Sequence, residues 1–503
     1  MNQSFDLLQA PWIPCMQADG APVELGLRDT LAQAHNLREL HGESPLVTAA
    51  LYRLLLAVLH RVFGPAGYAE WAGLWQTRRW DPARLDAYLE RWRSRFNLFD
   101  PQHPFYQAPD ARVKPKPVNS LILDAAFGNK ATLFDHHTDA EGITLSPAQS
   151  ARVLITAQAF GLAGTLGSTM HFTDGSCARG ILFLVEGETL FETLALNLLR
   201  YPDDGVIPTS PDDCPAWEMD DPFTPDRSHP RGYLDYLTWQ SRRIMLLPEA
   251  TQDGVVVRQM TLAPALRLSA DVLDPMKHYR RDEKRGPLVL RFNEERALWR
   301  DSAALFRLSD EGYRAPRAFW WLAELIGQDC LPREQPRRYL ALGMANDQAR
   351  VDFYRSEHMP LLLDYLQDKE LVDRLDDALK MAEAARSQLW GAAYTLATFL
   401  LSPHSDTGTE HQPARKDLDS LTSQWAIERD YWSRLEIHFH RMLVALPNDV
   451  EGTLADWRET LRRTAQAALN RVATDLEHDS RNLKATVRAR DQLKAGLRKI
   501  LPD

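Results

Sequence analysis

The chain has 503 residues, 44% of them hydrophobic and 25% charged, and its formal net charge at pH 7 is −10. This length predicts two or three domains with substantial cores, while the acidic balance argues against a free-standing nucleic-acid binder, since such binding depends on basic residues that neutralise phosphates. The four cysteines form no Cys-x-x-Cys pair, so we expect no disulfide framework, no cysteine-based zinc site and no cofactor.

The most apolar stretch of the chain is a predicted helix at about 45–63. Ser44 is its expected N-cap, and Pro45 takes the first helical position, where a missing N–H costs nothing. Because Arg53 and His60 lie within this stretch, we expect it to be too short and too polar to span a bilayer. The N-terminus has no basic region followed by an apolar core, as a secretory signal would. We therefore expect a cytoplasmic protein that makes no contact with a membrane.

A helix followed by three glycines is the most informative local pattern. Ser146 and Pro147 again mark a helix start, and Gly161 falls where a left-handed C-cap glycine belongs. Gly164 and Gly167 follow at three-residue spacing, which either makes several turns or lets another backbone come very close. Neither Lys-Ser nor Lys-Thr follows Gly167, so the pattern is not a phosphate-binding P-loop.

The next part of the chain alternates short elements with irregular segments. An apolar run at 180–185 predicts a buried strand, and the pattern at 188–199 predicts a helix. Seven prolines between positions 202 and 230 then break any regular pattern. We expect this proline-rich segment to be irregular.

A dense group of basic residues lies within fifteen positions of an otherwise acidic chain. Its members are Lys277, His278, Arg280, Arg281, Lys284, Arg285 and Arg291. Gly286 and Pro287 mark a turn beside them, so Lys284 and Arg285 are predicted to project from a hairpin-like loop. Such a cluster is typical of a solvated surface as well as of a binding site.

The last part of the chain has a long helical pattern. From about residue 366, apolar residues recur at three- and four-residue spacing over four segments, and the second segment is predicted to run unbroken through Trp425 and Trp432. Four helices joined by short loops favour an antiparallel bundle. We therefore predict an α+β fold, with a large mixed α/β N-terminal domain at 1–364 and a C-terminal antiparallel four-helix bundle at 365–503.

Several short motifs occur in a fixed order along most of the chain. They are Leu7-Leu8, Pro11-Trp12-Ile13-Pro14, His103-Pro104-Phe105-Tyr106-Gln107, Ala126-Phe127-Gly128-Asn129, the three glycines, and Asn346-Asp347-Gln348-Ala349. In their order and spacing they resemble the CasA family, the large subunit of the type I-E CRISPR surveillance complex Cascade. The family's C-terminal domain is also a four-helix bundle. Some members carry a cysteine-rich zinc knuckle, but the matching region here, about 246–267, contains no cysteine, so we expect no metal.

The resemblance implies a non-catalytic subunit of an RNA-guided antiviral complex. Such a subunit recognises the protospacer-adjacent motif, a short tag in double-stranded DNA, and helps to start strand separation and R-loop formation. It also provides a docking surface for a recruited helicase-nuclease, which cuts the DNA. The implied partners are the other Cascade subunits with their guide RNA, double-stranded target DNA, and that helicase-nuclease. The basic last helix, at 481–499, faces the displaced strand, another subunit or solvent.

The resemblance also assigns DNA-binding roles to individual residues. Lys284 matches a lysine that reaches the minor groove beside the tag, and Arg285 is the alternative if the alignment shifts by one position. Gly164 and Gly167 match a loop whose bare backbone approaches the same groove. The family often has consecutive glycines there, whereas this chain separates them. A plain turn is the alternative interpretation of these glycines.

Two further motifs are implied to act in strand separation and in docking. Gln348 matches a wedge that helps to split the first target base pair, since its amide both donates and accepts hydrogen bonds, and Asn346 and Ala349 belong to the same DNA-contacting motif. An ordinary turn residue is the alternative for Gln348. The docking loop, near the 5′ handle of the guide RNA, consists of Phe127, Gly128, Asn129 and Lys130. A buried core residue is the alternative for Phe127.

Two other functions stay open at this point. One is a purely structural scaffold in the same complex, with tag reading weakened by the separated glycines. The other is an unrelated cytoplasmic enzyme, although the chain contains no Gly-x-Ser-x-Gly elbow and we predict no catalytic residue. His136 and His137, flanked by Asp135 and Asp139, resemble a metal site, but adjacent histidines point in different directions, and a surface loop is favoured.

Overall fold

The computed structural model of the chain describes residues 4–123, 143–166, 170–201, 207–308, 312–347, 350–402, 413–474, 476 and 480–502. The chain divides into two compact units. The first unit comprises Met1–Asn293 and Leu308–Leu363, and the second comprises Glu294–Arg307 and Asp364–Asp503. The sequence predicts one uninterrupted N-terminal domain at 1–364. In the structure, the segment Glu294–Arg307 within that range groups instead with the C-terminal helices.

The strands form small antiparallel sheets. They are β1 (Ile13–Gln17), β2 (Pro22–Leu25), β3 (Leu37–Leu40), β4 (Lys116–Pro117), β5 (Gly164–Leu166), β6 (Met170–Phe172), β7 (Ile181–Glu186), β8 (Arg242–Thr251), β9 (Gly254–Pro264), β10 (Tyr279–Asp282), β11 (Gly286–Val289), β12 (Tyr313–Arg314), β13 (Arg337–Asp347) and β14 (Arg350–Leu361). Within the described residues the strand orders are β2-β1-β3, β4-β9-β8, β11-β10-β12, β14-β13-β7 and β5-β6.

Helices occur in both units and make up most of the second. They are α1 (Leu27–Ala32), α2 (Pro45–Phe63), α3 (Tyr68–Thr77), α4 (Pro82–Arg91), α5 (Pro147–Phe160), α6 (Leu190–Leu196), α7 (Tyr233–Leu237), α8 (Ser302–Phe306), α9 (Arg317–Gly327), α10 (Leu363–Gln367), α11 (Lys369–Leu401), α12 (Arg415–Trp425), α13 (Ile427–Ala445), α14 (Val450–Thr474) and α15 (Ser480–Ile500). Short 3-10 helices lie at Arg93–Phe96, Val118–Leu121, Ala216–Glu218 and Leu298–Asp301.

Strand β7 is a fully buried strand in the core of the first unit. Its six residues are all buried, which confirms the strand predicted from the apolar run at 180–185. One edge of β7 pairs with β13, from Gly343 opposite Ile181 to Arg338 opposite Glu186. Its other edge is covered because the backbone N–H of Phe183 donates to Met276 O at 2.8 Å. A continuous apolar run suits a strand that is buried in this way.

Helix α2 is the core helix of the first unit and packs on β13, β14, α5 and α7. Its predicted start is confirmed, because Ser44 accepts a hydrogen bond from Val47 N at 3.4 Å and Pro45 follows it. The expectation that it is too short and too polar to span a bilayer is wrong, since its 19 residues are long and apolar enough by composition. In its most apolar window, however, 78% is buried inside the protein. Apolar character on every face is what a fully buried helix requires.

The second unit is helical, as predicted, and α11 packs against α12, α13, α14 and α15. Two aromatic side chains donate to carbonyls of α11: Tyr431 Oη to Ala382 O at 3.0 Å, and Trp457 Nε1 to Ala378 O at 2.9 Å. The predicted unbroken second helix is instead two helices, because Ala426 adopts a left-handed φ of 47° between α12 and α13.

Candidate nucleic-acid interface

Strands β10 and β11 form a hairpin that carries the predicted basic loop; we call residues 279–289 the lysine hairpin. Asp282 Oδ1 closes its turn by accepting hydrogen bonds from the backbone N–H groups of Lys284 at 2.9 Å and Arg285 at 2.8 Å. Gly286 has a φ of +76°, a left-handed conformation that favours glycine. Lys284 and Arg285 are exposed. The predicted hairpin is therefore confirmed, and both basic side chains project from its turn.

Two members of the basic cluster do not belong to this surface. Lys277 and His278 are buried. Lys277 Nζ donates to Ser176 O at 2.7 Å and lies 3.8 Å from Asp274 Oδ2. Burial lowers the pKa of Lys277, and the nearby Asp274 carboxylate partly opposes that shift. Lys277 is thus a core residue at the base of the lysine hairpin, and the surface interpretation of the cluster is wrong for Lys277 and His278.

Helix α5 leads into a second hairpin, residues 161–173, which we call the glycine hairpin. The predicted helix start is confirmed: Ser146 Oγ accepts from Gln149 N at 3.2 Å, while the Gln149 side chain accepts from Ser146 N at 2.9 Å. Strands β5 and β6 then pair so that Gly164 lies opposite Phe172. Gly164 is exposed, and a Cβ atom added there would meet no atom of the described residues within 4 Å. Gly167 lies outside the described residues.

Gly161 ends α5, but not in the predicted conformation. Its φ is −55°, so the expected left-handed cap is wrong. Glycine is nevertheless required at this position, because a Cβ atom would overlap with the guanidinium carbon of Arg242 and lie 2.6 Å from Ala157 O. The constraint is the close approach of a buried side chain, which local sequence does not reveal.

Arg242 holds the base of the glycine hairpin together. Its Nη2 donates to Leu162 O at 2.9 Å and to Thr173 O at 3.1 Å, so it bridges the two ends of the hairpin. Its Nη1 donates to Ser241 Oγ at 2.6 Å. Burial lowers the pKa of Arg242 to about 10, because a desolvated cation is disfavoured. This clamp was missed from sequence, since Arg242 lies some eighty positions from Leu162.

The third hairpin is formed by β13 and β14 and carries the predicted wedge motif. Asn346 pairs with Val351 and Asp347 with Arg350, after a bulge between Ala345 and Asn346. Asn346 and Asp347 are thus the last residues of β13 rather than part of a longer turn. Gln348 and Ala349, which connect the two strands, lie outside the described residues.

One short segment, residues 174–181, contacts all three hairpins. Asp174 Oδ1 accepts from Ala163 N at 2.8 Å in the glycine hairpin. Gly180, at a φ of +90°, packs so closely on the lysine hairpin that a Cβ atom would overlap with the side chain of Val289. Its carbonyl oxygen lies 2.9 Å from where a Cβ of Gly343 in β13 would stand. One segment therefore contacts the bases of the glycine and lysine hairpins and the middle of β13, in part through the close approach of Gly180 and Gly343.

The remaining predicted loop residues are not among those that the structure describes. Phe127, Gly128, Asn129 and Lys130 of the docking loop lie outside the described residues, as do His136 and His137. Among the residues that the structure describes, no group of three or more His, Cys, Asp or Glu side chains could hold a metal ion. The four cysteines are free thiols.

Comparisons with known proteins converge on one family. The family described as CRISPR-associated protein Cse1 matches residues 6–468. CRISPR-associated protein CasA/Cse1 of Thermus thermophilus is 35% identical over 498 residues, which cover 96% of this chain and 95% of that protein. The crystal structure of Cse1 from Acidimicrobium ferrooxidans superimposes with a TM-score of 0.84 at 26% identity and covers 99% of both chains. A chain of a CRISPR RNA-guided surveillance complex matches with a TM-score of 0.75 at 25% identity, covering 98% of this chain and 99% of that one.

Proposed function

Because the chain belongs to the Cse1 family of CRISPR-associated proteins, we propose that it is the large, non-catalytic subunit of a type I-E Cascade surveillance complex. In that complex it recognises the protospacer-adjacent motif in double-stranded DNA and helps to start strand separation and R-loop formation. Its partners are the other subunits with their guide RNA, the target DNA, and a helicase-nuclease that docks on it. The complex works in the cytoplasm. Guide pairing reads the bulk of the sequence, a division of labour seen in other guided systems.

The observation that carries this proposal is the common anchor of the three hairpins. The lysine hairpin, the glycine hairpin and the β13–β14 hairpin each carry predicted DNA contacts, and all three contact residues 174–181. Contact with one shared segment helps to fix the relative positions of the hairpins, as recognition of a short duplex requires. Because one segment positions residues that lie far apart in the sequence, a small number of contacts is sufficient for recognition.

Each hairpin suits a different part of the task. Lys284 and Arg285 are exposed on a turn fixed by Asp282, so a long basic side chain can enter a minor groove. Gly164 presents an exposed backbone without a side chain, and no described atom lies close to it, so base edges can come near. Gln348 follows the bulged end of β13, where an amide can support bases that have lost their partners.

The overall charge of −10 fits a subunit that makes local contacts while partner subunits hold the phosphate backbone. In this arrangement Phe127, Gly128, Asn129 and Lys130 dock the chain on the complex near the 5′ handle of the guide RNA. An aromatic side chain flanked by glycine is well suited to anchor such a contact.

A selection with randomised tags tests the proposal. The complex is reconstituted with and without this chain and mixed with duplexes that share one guide-matched target and carry every possible tag. We expect a small set of tags to be enriched only when the chain is present. Binding that requires the chain but enriches no tag would leave it a structural scaffold. Full binding without the chain would contradict the proposal altogether.

A further inference from the structure

The motif His103-Pro104-Phe105-Tyr106-Gln107 takes no part in the function proposed above, yet it lines a pocket in the first unit. The pocket has a volume of about 260 Å³ and is closed on its other side by residues from 216–223 and by Gln240 and Arg243. We propose that this pocket, which we call the Gln240 pocket, binds a single unpaired nucleobase. The inference does not depend on tag reading, because the pocket shares no residue with the three hairpins.

The first reason is an unpaired amide. Gln240 is only 4% exposed, and its side-chain oxygen is buried without a hydrogen-bond partner among the described residues. Leaving such a group unpaired costs free energy, so native proteins rarely keep one without a reason. Gln240 lines the pocket. A ligand that brings an N–H donor to this oxygen therefore restores a missing hydrogen bond. The edges of nucleobases carry such donors next to acceptors, a pattern that an amide matches with both of its ends.

The second reason is a cluster of aromatic rings that line the pocket and are tilted by about 30° to one another. The Tyr106 ring lies 4.7 Å from that of Phe105 and 6.2 Å from that of Trp217, with interplanar angles of 31° and 30°. Tyr106 itself has a φ of +58°, which is an outlier for a bulky residue. Strained backbone of this kind persists where the surroundings hold it and is concentrated at ligand sites. All three rings line the pocket, and aromatic side chains are what unpaired bases stack against.

The third reason is the charge of the rim, which is already balanced. Arg95 forms an ion pair with Asp220. The guanidinium of Arg243 lies 4.2 Å from the centre of the Phe223 ring, and Asp221 accepts from Thr224 Oγ1 at 2.6 Å and from Phe223 N at 3.0 Å. A lone cation or carboxylate entering the pocket would gain little from partners that are already engaged. The pocket therefore favours a neutral, flat, N–H-bearing ring over the side chain of an arginine or a glutamate.

Size limits the ligand to one ring system. The pocket volume of about 260 Å³ lies just below the roughly 300 Å³ at which pockets for drug-sized ligands begin. The pocket therefore suits one base rather than a dinucleotide. The sugar and phosphate would remain at the mouth, beside His103 and Gln102. The base can accordingly come from a free nucleotide or from an unpaired position in a strand.

Binding measurements on the full chain distinguish these sources and test the pocket. The probes are the four nucleoside 5′-monophosphates, by calorimetry, and single-stranded RNA and DNA hexamers containing 2-aminopurine, by fluorescence. We expect saturable binding of at least one probe. Binding of the monophosphates identifies a nucleotide site, and binding of hexamers alone identifies a site for a base within a strand. Absence of saturable binding by every probe would overturn the proposal and leave a protein side chain as the occupant.

Substitution of Gln240 locates the site. Gln240→Leu has nearly the same size and removes the unpaired oxygen, so we expect the melting temperature to be kept or raised while affinity for the bound probe falls about tenfold. Gln76→Leu, the same change at an exposed position of α3, is the matched control and should bind normally. Gln102→Trp, an exposed change at the mouth, provides a second test if Gln240→Leu fails to fold. Unchanged binding by Gln240→Leu, or by Gln102→Trp in its place, would overturn the assignment.

Discussion

Substitution of Gly164 is expected to separate protein stability from DNA binding. Gly164 lies exposed in β5, its φ is outside the left-handed region, and an added Cβ atom meets nothing within 4 Å in the part of the chain that the structure describes. Glycine in a strand costs roughly 0.5–1 kcal/mol relative to alanine. We therefore expect Gly164→Ala to leave the free energy of unfolding unchanged or to raise it by up to about that amount, as measured by urea denaturation of the isolated chain.

The same substitution should weaken recognition of the tag. If the bare backbone of Gly164 approaches base edges, a methyl group prevents that approach, and a carboxylate in Gly164→Asp also meets the negative field of the duplex. We expect about a tenfold loss of affinity for a tagged duplex with Gly164→Ala, equivalent to about 1.4 kcal/mol, and a larger loss with Gly164→Asp. The assay compares tagged and untagged duplexes bound by the reconstituted complex at fixed salt.

Gly161→Ala is the matched control within the same hairpin. A Cβ atom at Gly161 would overlap with Arg242 and lie 2.6 Å from Ala157 O, so overpacking should lower the free energy of unfolding by roughly 1–3 kcal/mol. Native affinity for tagged DNA in both Gly164 variants would refute a role for this backbone. An unchanged free energy of unfolding in Gly161→Ala would contradict the overlap expected between this Cβ atom and Arg242.

Three further predictions concern strand opening, assembly and pH. Gln348→Ala should slow opening of a tagged duplex while a pre-melted target restores the rate, and an equal defect on both substrates would exclude a wedge. The double change Phe127→Ala with Asn129→Ala should weaken co-purification with the other subunits without unfolding the isolated chain, and unchanged assembly would make this loop merely structural. Burial lowers the pKa of His60 from 6.5 to about 4. The unfolded chain therefore binds the proton more tightly than the folded chain does. The free energy of unfolding should fall by about 3 kcal/mol in total as the pH drops from 6.5 to about 4. His60→Gln should lose this part of the pH dependence in urea denaturation, and an identical pH profile in both proteins would contradict it.

Local signals in the sequence were sufficient where neighbouring residues decide the structure. The Ser44 and Ser146 caps were predicted correctly because a helix start depends on a few adjacent residues. The buried strand β7 and the turn at Lys284 and Arg285 follow equally from composition within a short window. The same applies to the helical C-terminal unit, whose periodicity extends over many turns.

The errors occurred where distant residues decide the structure. Lys277 was assigned to a surface cluster, but its partner Ser176 lies about a hundred positions away and makes it a core residue. Gly161 was assigned to a left-handed cap, but the constraint on it is contact with Arg242. The helix break at Ala426 is not marked by a glycine or a proline in the sequence. At the break, the carbonyl oxygen of Trp425 accepts a hydrogen bond from Arg471 of α14 at 2.8 Å. Pairings of this kind cannot be read from one sequence without its tertiary structure.

The most direct test of tag reading is the effect of Lys284→Ala on discrimination between tagged and untagged duplexes. The reconstituted complex is measured at fixed salt on two duplexes that share one guide-matched target, with Arg281→Ala, an exposed change on the same hairpin, as the matched control. A groove contact carries preference, whereas a phosphate contact weakens all sequences alike. We predict that Lys284→Ala lowers affinity for the tagged duplex about tenfold with little change for the untagged one, and that Arg281→Ala lowers both equally. Equal losses on both duplexes with Lys284→Ala would contradict the account.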